Sequence, residues 1–376
     1  MDPKTQEILK AVRKNFLKEL KDAASGKKTS LVFIKNQIPQ NKIVQEDEVF
    51  QVIVTGGSIC KVAKVKYQSG KIKILQKQET PVDAFNTKED FLQFVLNNLD
   101  NGTKTLAINF TFAIQPILEN GKLDGKLITP SKEHKFEGLI GKNVGKEVEK
   151  YVFLKTKRKL QVSVGNDTVC LLLSALTQYS PLQVAAGVVG TGINFSIFQD
   201  KNTIRNLEAA NFNKFSPSKE TKEIDRQSAR PGDWIFEKEI AGAYLYKQFN
   251  IMIKSKNIDC PPINSTAQLN AIANKNLGET TEIARYLFEK SAGLVASVMA
   301  AITDFSQRDL IRRKDRNDLI RRKDRNDLIF VMEGSLFWHS LRPKIERYLK
   351  QLAPEYRTKF AKIENSEILG AAKLVS

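Results

Sequence analysis

The sequence predicts an α/β protein made of two similar halves, and three observations carry that expectation. Short β-branched runs, as at 50–54 and in the alternating stretch 60–65, are interleaved with helix-period runs such as 87–98. A strand–glycine turn–strand pattern occurs twice, first through Thr55-Gly56-Gly57-Ser58 and again through Gly190-Thr191-Gly192. Between them, residues 161–195 hold two strands that each finish in a short polar loop, the kind of loop that holds ligands at strand ends. The halves are set at residues 1–180 and 181–376, with a cleft between them as the expected ligand site.

Residues 4–22 read as an amphipathic helix, with Ile8, Val12, Phe16 and Leu20 on one face. An extended lead-in at 27–40 precedes a strand at 50–54, the Thr55–Ser58 turn, a strand at 60–65 and a third strand at 71–75. A helix follows at 87–98, capped by Asn86 or Thr87, with Phe91, Phe94, Val95 and Leu99 inward. A strand at 106–112 completes a β-β-β-α-β half. Val162 and Val164 begin the next strand, which enters a turn at Gly165, Asn166, Asp167 and Thr168 before an apolar helix at 169–176. The second half repeats the theme with strands at 184–189 and 195–199 around the second glycine loop, then helices at 234–249, 267–276 and 281–303.

Residues 309–317 and 318–326 are identical, DLIRRKDRN, and a third DLI follows at 327–329. Nine residues advance a helix by about two and a half turns, so the two Leu-Ile pairs would face opposite sides. One copy is therefore expected to be an exposed insertion, basic through Arg312, Arg313, Lys314 and Arg316.

At 376 residues the chain can hold two cores, and its 41% hydrophobic content is that of a globular protein. The first residues mix acids and bases and have no apolar stretch of the signal-peptide kind. The longest apolar helical run, at 293–302, is well short of the ~20 residues that span a bilayer. Three scattered cysteines, Cys60, Cys170 and Cys260, argue against a disulfide framework and fit a reducing cytoplasm. His134 and His339 are too few for a histidine metal site, and neither ends a strand as a triad base would. The net charge of +18 comes from 60 Lys and Arg against 42 Asp and Glu. Without an aromatic-interleaved basic stripe, it reads as a lysine-rich surface that draws anionic nucleotides, and nucleic-acid binding is not expected.

The first strand-end loop offers a carboxylate beside an amide, and the second offers bare backbone N–H groups suited to phosphate. Those are the two parts a small-molecule kinase needs. Taken alone, Asn166, Asp167 or Thr168 would serve equally as a helix cap, and the glycines as turn formers.

The order of motifs resembles that of the hexokinase family, sugar kinases with the two-lobed actin-like, ribonuclease-H-type fold. The resemblance runs through KKTSLVFIKNQIP, FQVIVTGGSICKVAKV (50–65), LAINFTFAIQP, LITPSKEHKFEGLIGKNV, GNDTV, GVVGTGINFSIF, NLEAANF, FEKEIAGAYL, SAGLVASVMAAI, MEGSLFW and LGAAKL. It implies an ATP-dependent transfer of a phosphoryl group to the 6-hydroxyl of glucose or a similar hexose, with Mg2+ carried by the nucleotide. By this resemblance Asp167 is the general base, and Lys132 stabilises charge in transit. By the same resemblance Ser131, Lys132, Asn166, Asp167, Asn194, Glu208 and Glu237 contact the sugar. Gly56, Gly57, Ser58 and Lys61, with Gly190, Thr191 and Gly192, hold phosphates. Gly334, Ser335 and Gly370 lie on the adenosine side.

The chain departs from the family pattern at several of these places. Val54 replaces an aspartate that helps hold magnesium, Ser58-Ile59 replaces Thr-Asn, Lys61 replaces an arginine, and Ala113 replaces a sugar-contacting serine. Asn365-Ser366-Glu367 replaces a Gly-Ser turn. The alternative is a weakened or inactive sugar-binding relative, and the oligomeric state, monomer or homodimer, stays open.

Overall fold

The computed structural model describes residues 2–39, 41–57, 59–129, 134–276, 278–312 and 327–376. By internal contacts the chain forms two compact units. One comprises Met1–Phe33, Gly187–Phe195 and Asn206–Ala361; the other comprises Ile34–Ala186, Ser196–Arg205 and Lys362–Ser376.

The elements run in this order: α1 (Pro3–Ala24), β1 (Ile34–Gln37), β2 (Val49–Thr55), β3 (Ile59–Gln68), β4 (Lys71–Pro81), α2 (Lys88–Asn97), β5 (Thr105–Phe110), β6 (Ala113–Glu119), β7 (Lys122–Thr129) and α3 (Val144–Thr156). Then come β8 (Gln161–Asn166), α4 (Asp167–Ser174), β9 (Val184–Val189), β10 (Ile193–Asp200), β11 (Thr203–Asn206), α5 (Lys219–Arg226), α6 (Ile235–Ile240), α7 (Gly242–Ser255), α8 (Thr266–Ala273) and α9 (Glu279–Arg312). β12 (Asp327–Glu333), α10 (Arg342–Leu352), β13 (Arg357–Ala361) and α11 (Ser366–Ala372) complete the chain. A five-stranded sheet has the order β4-β3-β2-β5-β8, a six-stranded sheet the order β1-β11-β10-β9-β12-β13, and β6 and β7 form a hairpin.

In the second unit, β2 and β3 are antiparallel and β2, β5 and β8 are parallel. The central strands are buried nearly end to end, as parallel strands covered on both faces are. Phe85, Phe91, Phe110, Phe112 and Phe136 form an aromatic core here with Val95, Val148 and Val164. α2 starts on a capping box, Thr87 with Asp90, which settles the choice of cap. β4 continues to Pro81, well past the expected end; its lysines stand on an exposed edge, where charge deters further pairing. No turn separates β8 from α4: the strand runs to Asn166, whose side chain accepts the Thr168 N–H and opens the helix at Asp167.

The first unit is built around α9, whose residues from Ser291 to Thr303 are almost all buried. α1 packs along it so closely that a Cβ on Gly293 would lie 2.9 Å from Leu9 Cδ1. The buried face of α1 is Leu9, Val12, Phe16 and Leu20, while Ile8 is 52% exposed. The inward stripe steps three residues back from Val12 and not four, as the 3.6-residue period allows. The single helix expected at 234–249 is two, α6 and α7, broken at Ala241, whose backbone is extended. Of the repeated segment, 309–312 ends α9, the third DLI opens β12, and residues 313–326 lie outside the described residues.

Arg13 ties α1 to this unit: its guanidinium grips Asp304 through two 2.8 Å bonds and Glu355 through one of 2.9 Å, and donates to the Leu352 carbonyl. Asp304 is almost fully buried. Arg13→Met is expected to destabilise the fold by ~3 kcal/mol, because it leaves that carboxylate buried without its cation. Urea unfolding measures it, and Asp304→Leu added to the same chain should recover part of the loss.

Candidate functional site

Within the second unit the parallel ladder aligns β5 and β8 so that Phe110 pairs with Asn166. β8 ends there, and Asp167 is the first residue of α4. Asp167 Oδ1 accepts the Thr168 N–H at 2.7 Å and its hydroxyl at 3.2 Å. A carboxylate at a helix N-terminus keeps its negative charge cheaply. Below it, burial first and then the charge of Asp167 push the Cys170 thiol well above its usual range. Asn166 is buried and Asp167 half-buried, so the pair presents one carboxylate at the end of a rigid strand.

The first glycine turn is equally constrained. A Cβ on Gly56 would lie 2.0 Å from the Ile59 carbonyl oxygen, so this position requires glycine. Across β2 and β3, Val54 pairs with Lys61. Lys61 Nζ lies 2.8 Å from Glu367 and 3.3 Å from Glu79. Burial opposes the charge of each, yet the Lys61–Glu367 pair wins, raising the lysine above and lowering the acid below its ordinary value. Gly370 lies in α11 where it crosses α4; a Cβ there would sit 1.8 Å from the Cys170 carbonyl oxygen. Ser58, Ser131 and Lys132 lie outside the described residues.

Within the first unit, the 190–192 loop closes on itself through the Gly190 N–H and the Gly192 carbonyl, 2.9 Å apart. The start of α7 docks on it: Gly242 and Ala243 donate to the carbonyls of Gly190 and Thr191 at 2.8 and 3.1 Å. Gly334 lies against it, 3.3 Å from a Cβ placed on Gly190, and Ser335 follows on the exposed side. Glu237, on α6, accepts the Ile193 N–H at 3.0 Å, and a Cβ on Gly192 would lie 2.5 Å from the same carboxylate oxygen.

Next along β10, Asn194 Nδ2 donates to Asn206 Oδ1 at 2.8 Å and to Glu208 Oε1 at 3.2 Å. Asn206 donates to the same Glu208 oxygen at 2.8 Å, and Asn194 Oδ1 accepts the Ala209 N–H at 3.3 Å. Glu208 holds this place with a left-handed backbone, φ 51°, a conformation that costs a non-glycine residue ~1 kcal/mol or more and clusters at functional sites. The structure thus brings together Gly190, Thr191, Gly192, Asn194, Glu208, Glu237 and Gly334, adding Asn206, which the sequence reading missed. A lone asparagine at a strand end carries no periodic signal; only its place two residues before Glu208 pointed to it.

The side chains present suit a polyol and a polyphosphate. Amides and carboxylates match hydroxyls that both donate and accept, and a glycine loop leaves its backbone open to anions. Val54 offers a metal no oxygen, and no cluster of three or more histidine, cysteine or acidic side chains suited to an ion exists among the described residues. A magnesium ion bound here would take its oxygens from nucleotide phosphates and water.

No protein-family model matches the chain. It is 26% identical over 234 residues to Hexokinase-1 of Spinacia oleracea, covering 53% of this chain and 46% of that one. Hexokinase-1 of Saccharomyces cerevisiae is 25% identical over 290 residues, with 67% and 59% covered, and Hexokinase-2 of the same yeast 24% over 363 residues, with 82% and 71% covered. The chain thus spans about half the length of the first of these relatives. A hexokinase crystal structure superposes with a TM-score of 0.77 at 18% identity, over 98% of this chain and 95% of that one. A Schistosoma mansoni hexokinase complexed with glucose gives 0.71 at 17%, over 99% and 98%. No helix among the described residues is long and apolar enough to cross a membrane. The chain thus has the hexokinase fold along its length and is similar in sequence to hexokinases at modest identity.

Proposed function

We propose that the protein is an ATP-dependent sugar kinase that phosphorylates the 6-hydroxyl of glucose or a similar hexose. The observation that carries this reading is the carboxamide–carboxylate network of Asn194, Asn206 and Glu208, with Glu237 under the neighbouring glycine loop. Asn166 and these groups hold the sugar hydroxyls, with Ser131 and Lys132 assigned to the same task. Asp167 takes the proton of the attacking hydroxyl. Backbone N–H groups at Gly56–Gly57 and at residues 190–192 hold phosphates, with Gly334, Ser335 and Gly370 toward the adenosine. MgATP, when bound, supplies the phosphoryl group.

A coupled assay with MgATP on glucose, fructose and mannose tests the reading; no turnover on any sugar or donor would end it. Glu237→Ala is expected to weaken glucose binding about tenfold or more in calorimetry, the value of a hydrogen bond to a charged group.

A second reading, a sugar-binding protein without transfer, is favoured by Val54 and by the Lys61–Glu367 pair, which neutralises the cation assigned to phosphate. It expects sugar binding with neither transfer nor hydrolysis of nucleotide.

A further inference from the structure

We propose that His134 is a positioning residue that fixes the first glycine turn, and through it the backbone N–H groups which the kinase reading assigns to phosphate. The ring is 3% exposed, and both nitrogens are engaged. Nδ1 lies 3.0 Å from the Phe85 backbone nitrogen, and Nε2 lies 2.8 Å from the Gly57 carbonyl oxygen. A backbone N–H can only donate and a carbonyl only accept, so both bonds require the neutral tautomer with its proton on Nε2. The ring plane is set by Phe85, Phe112 and Phe136, whose centroids lie 5.0–5.4 Å away, with Phe136 stacked at 14°.

At the base of the turn, Thr55 Oγ1 donates to the Asn109 carbonyl at 3.1 Å and accepts the Thr111 N–H at 3.2 Å. His134 adds a tether nearer the tip, at the Gly57 carbonyl. A phenylalanine would fill the same aromatic cluster without burying two polar nitrogens, a burial that costs ~1–3 kcal/mol unless both are satisfied. The histidine is matched to the Gly57 carbonyl, not to the cluster.

The test sets His134→Phe, which keeps ring packing and loses both bonds, against His134→Gln, whose amide can accept and donate but has no ring. In the full-length protein, amide hydrogen exchange across residues 55–59 should accelerate about tenfold in H134F and stay near wild type in H134Q. Calorimetric affinity for MgATP should fall with it in H134F and return in H134Q, with glucose affinity unchanged in both. The reverse pattern, H134F like wild type and H134Q perturbed, would show that packing alone matters and overturn the proposal. Unchanged exchange in both variants would overturn it too. If wild-type protein binds no nucleotide, the kinase reading fails by that measurement while exchange still decides the role of His134.

Discussion

Asp167→Ala should lower kcat by ~10²–10⁴ while leaving glucose affinity within a few-fold of wild type, the signature of a lost general base. Asp167 shares the Thr168 N–H with Asn166, the N-cap of α4, which accepts it at 3.1 Å and remains when Asp167 is replaced. The helix therefore keeps its start in the variant. Asp167→Asn, which preserves shape and removes basicity, should lose a similar factor. The coupled assay and glucose calorimetry on the same preparations check both. Full turnover by either variant would remove Asp167 from the chemistry.

Gly334→Ala should cost at least ~3 kcal/mol of stability and, at temperatures where the protein stays folded, displace the second phosphate loop. Gly334 has φ +107°, and an added Cβ would stand 2.2 Å from the Val189 carbonyl oxygen, 2.4 Å from its carbon and 2.8 Å from the Gly190 nitrogen. All three are backbone atoms that no rotamer change can move aside. Strain and overlap act together here. Gly192→Ala meets only the end of the Glu237 side chain, at 2.5 Å, and should cost less stability while weakening sugar binding. Thermal unfolding of the two variants side by side gives the order; equal or reversed losses would contradict it.

Much of the fold was legible because its signals are local. β9 occupies the expected residues 184–189, and the 190–192 loop turns the chain straight after it. What escaped depends on tertiary contacts. The β6–β7 hairpin turns at Asn120-Gly121, a strong turn pair, but its strands contain Pro116 and Gly125, which mask the alternation. The break at Ala241 lies in an unbroken helical pattern; it occurs because the next residue donates its N–H to Gly190. The pairing of β12 with β13 follows a segment whose repetition hides any period. At the candidate site, glycine and carboxylate positions were visible through the family pattern. Asn206 and His134 were not, since each acquires its partners only when distant stretches meet. In the sequence a histidine suggests a metal ligand or triad base, neither of which describes a ring bridging two backbone groups.

The crossing of α11 over α4 has a consequence for how the protein is made. Gly370 seats on Cys170, and the Lys61–Glu367 pair and the Asn109 bond to the Glu367 carbonyl secure the same helix. The second unit therefore stays incomplete throughout synthesis of residues 206–361, with the apolar underside of the Asp167 helix uncovered. Such a delay exposes a nascent chain to misassociation. Supplying residues 362–376 as a separate peptide to a chain ending at Ala361 should restore the seat in trans, if closure of that unit is all the late segment contributes.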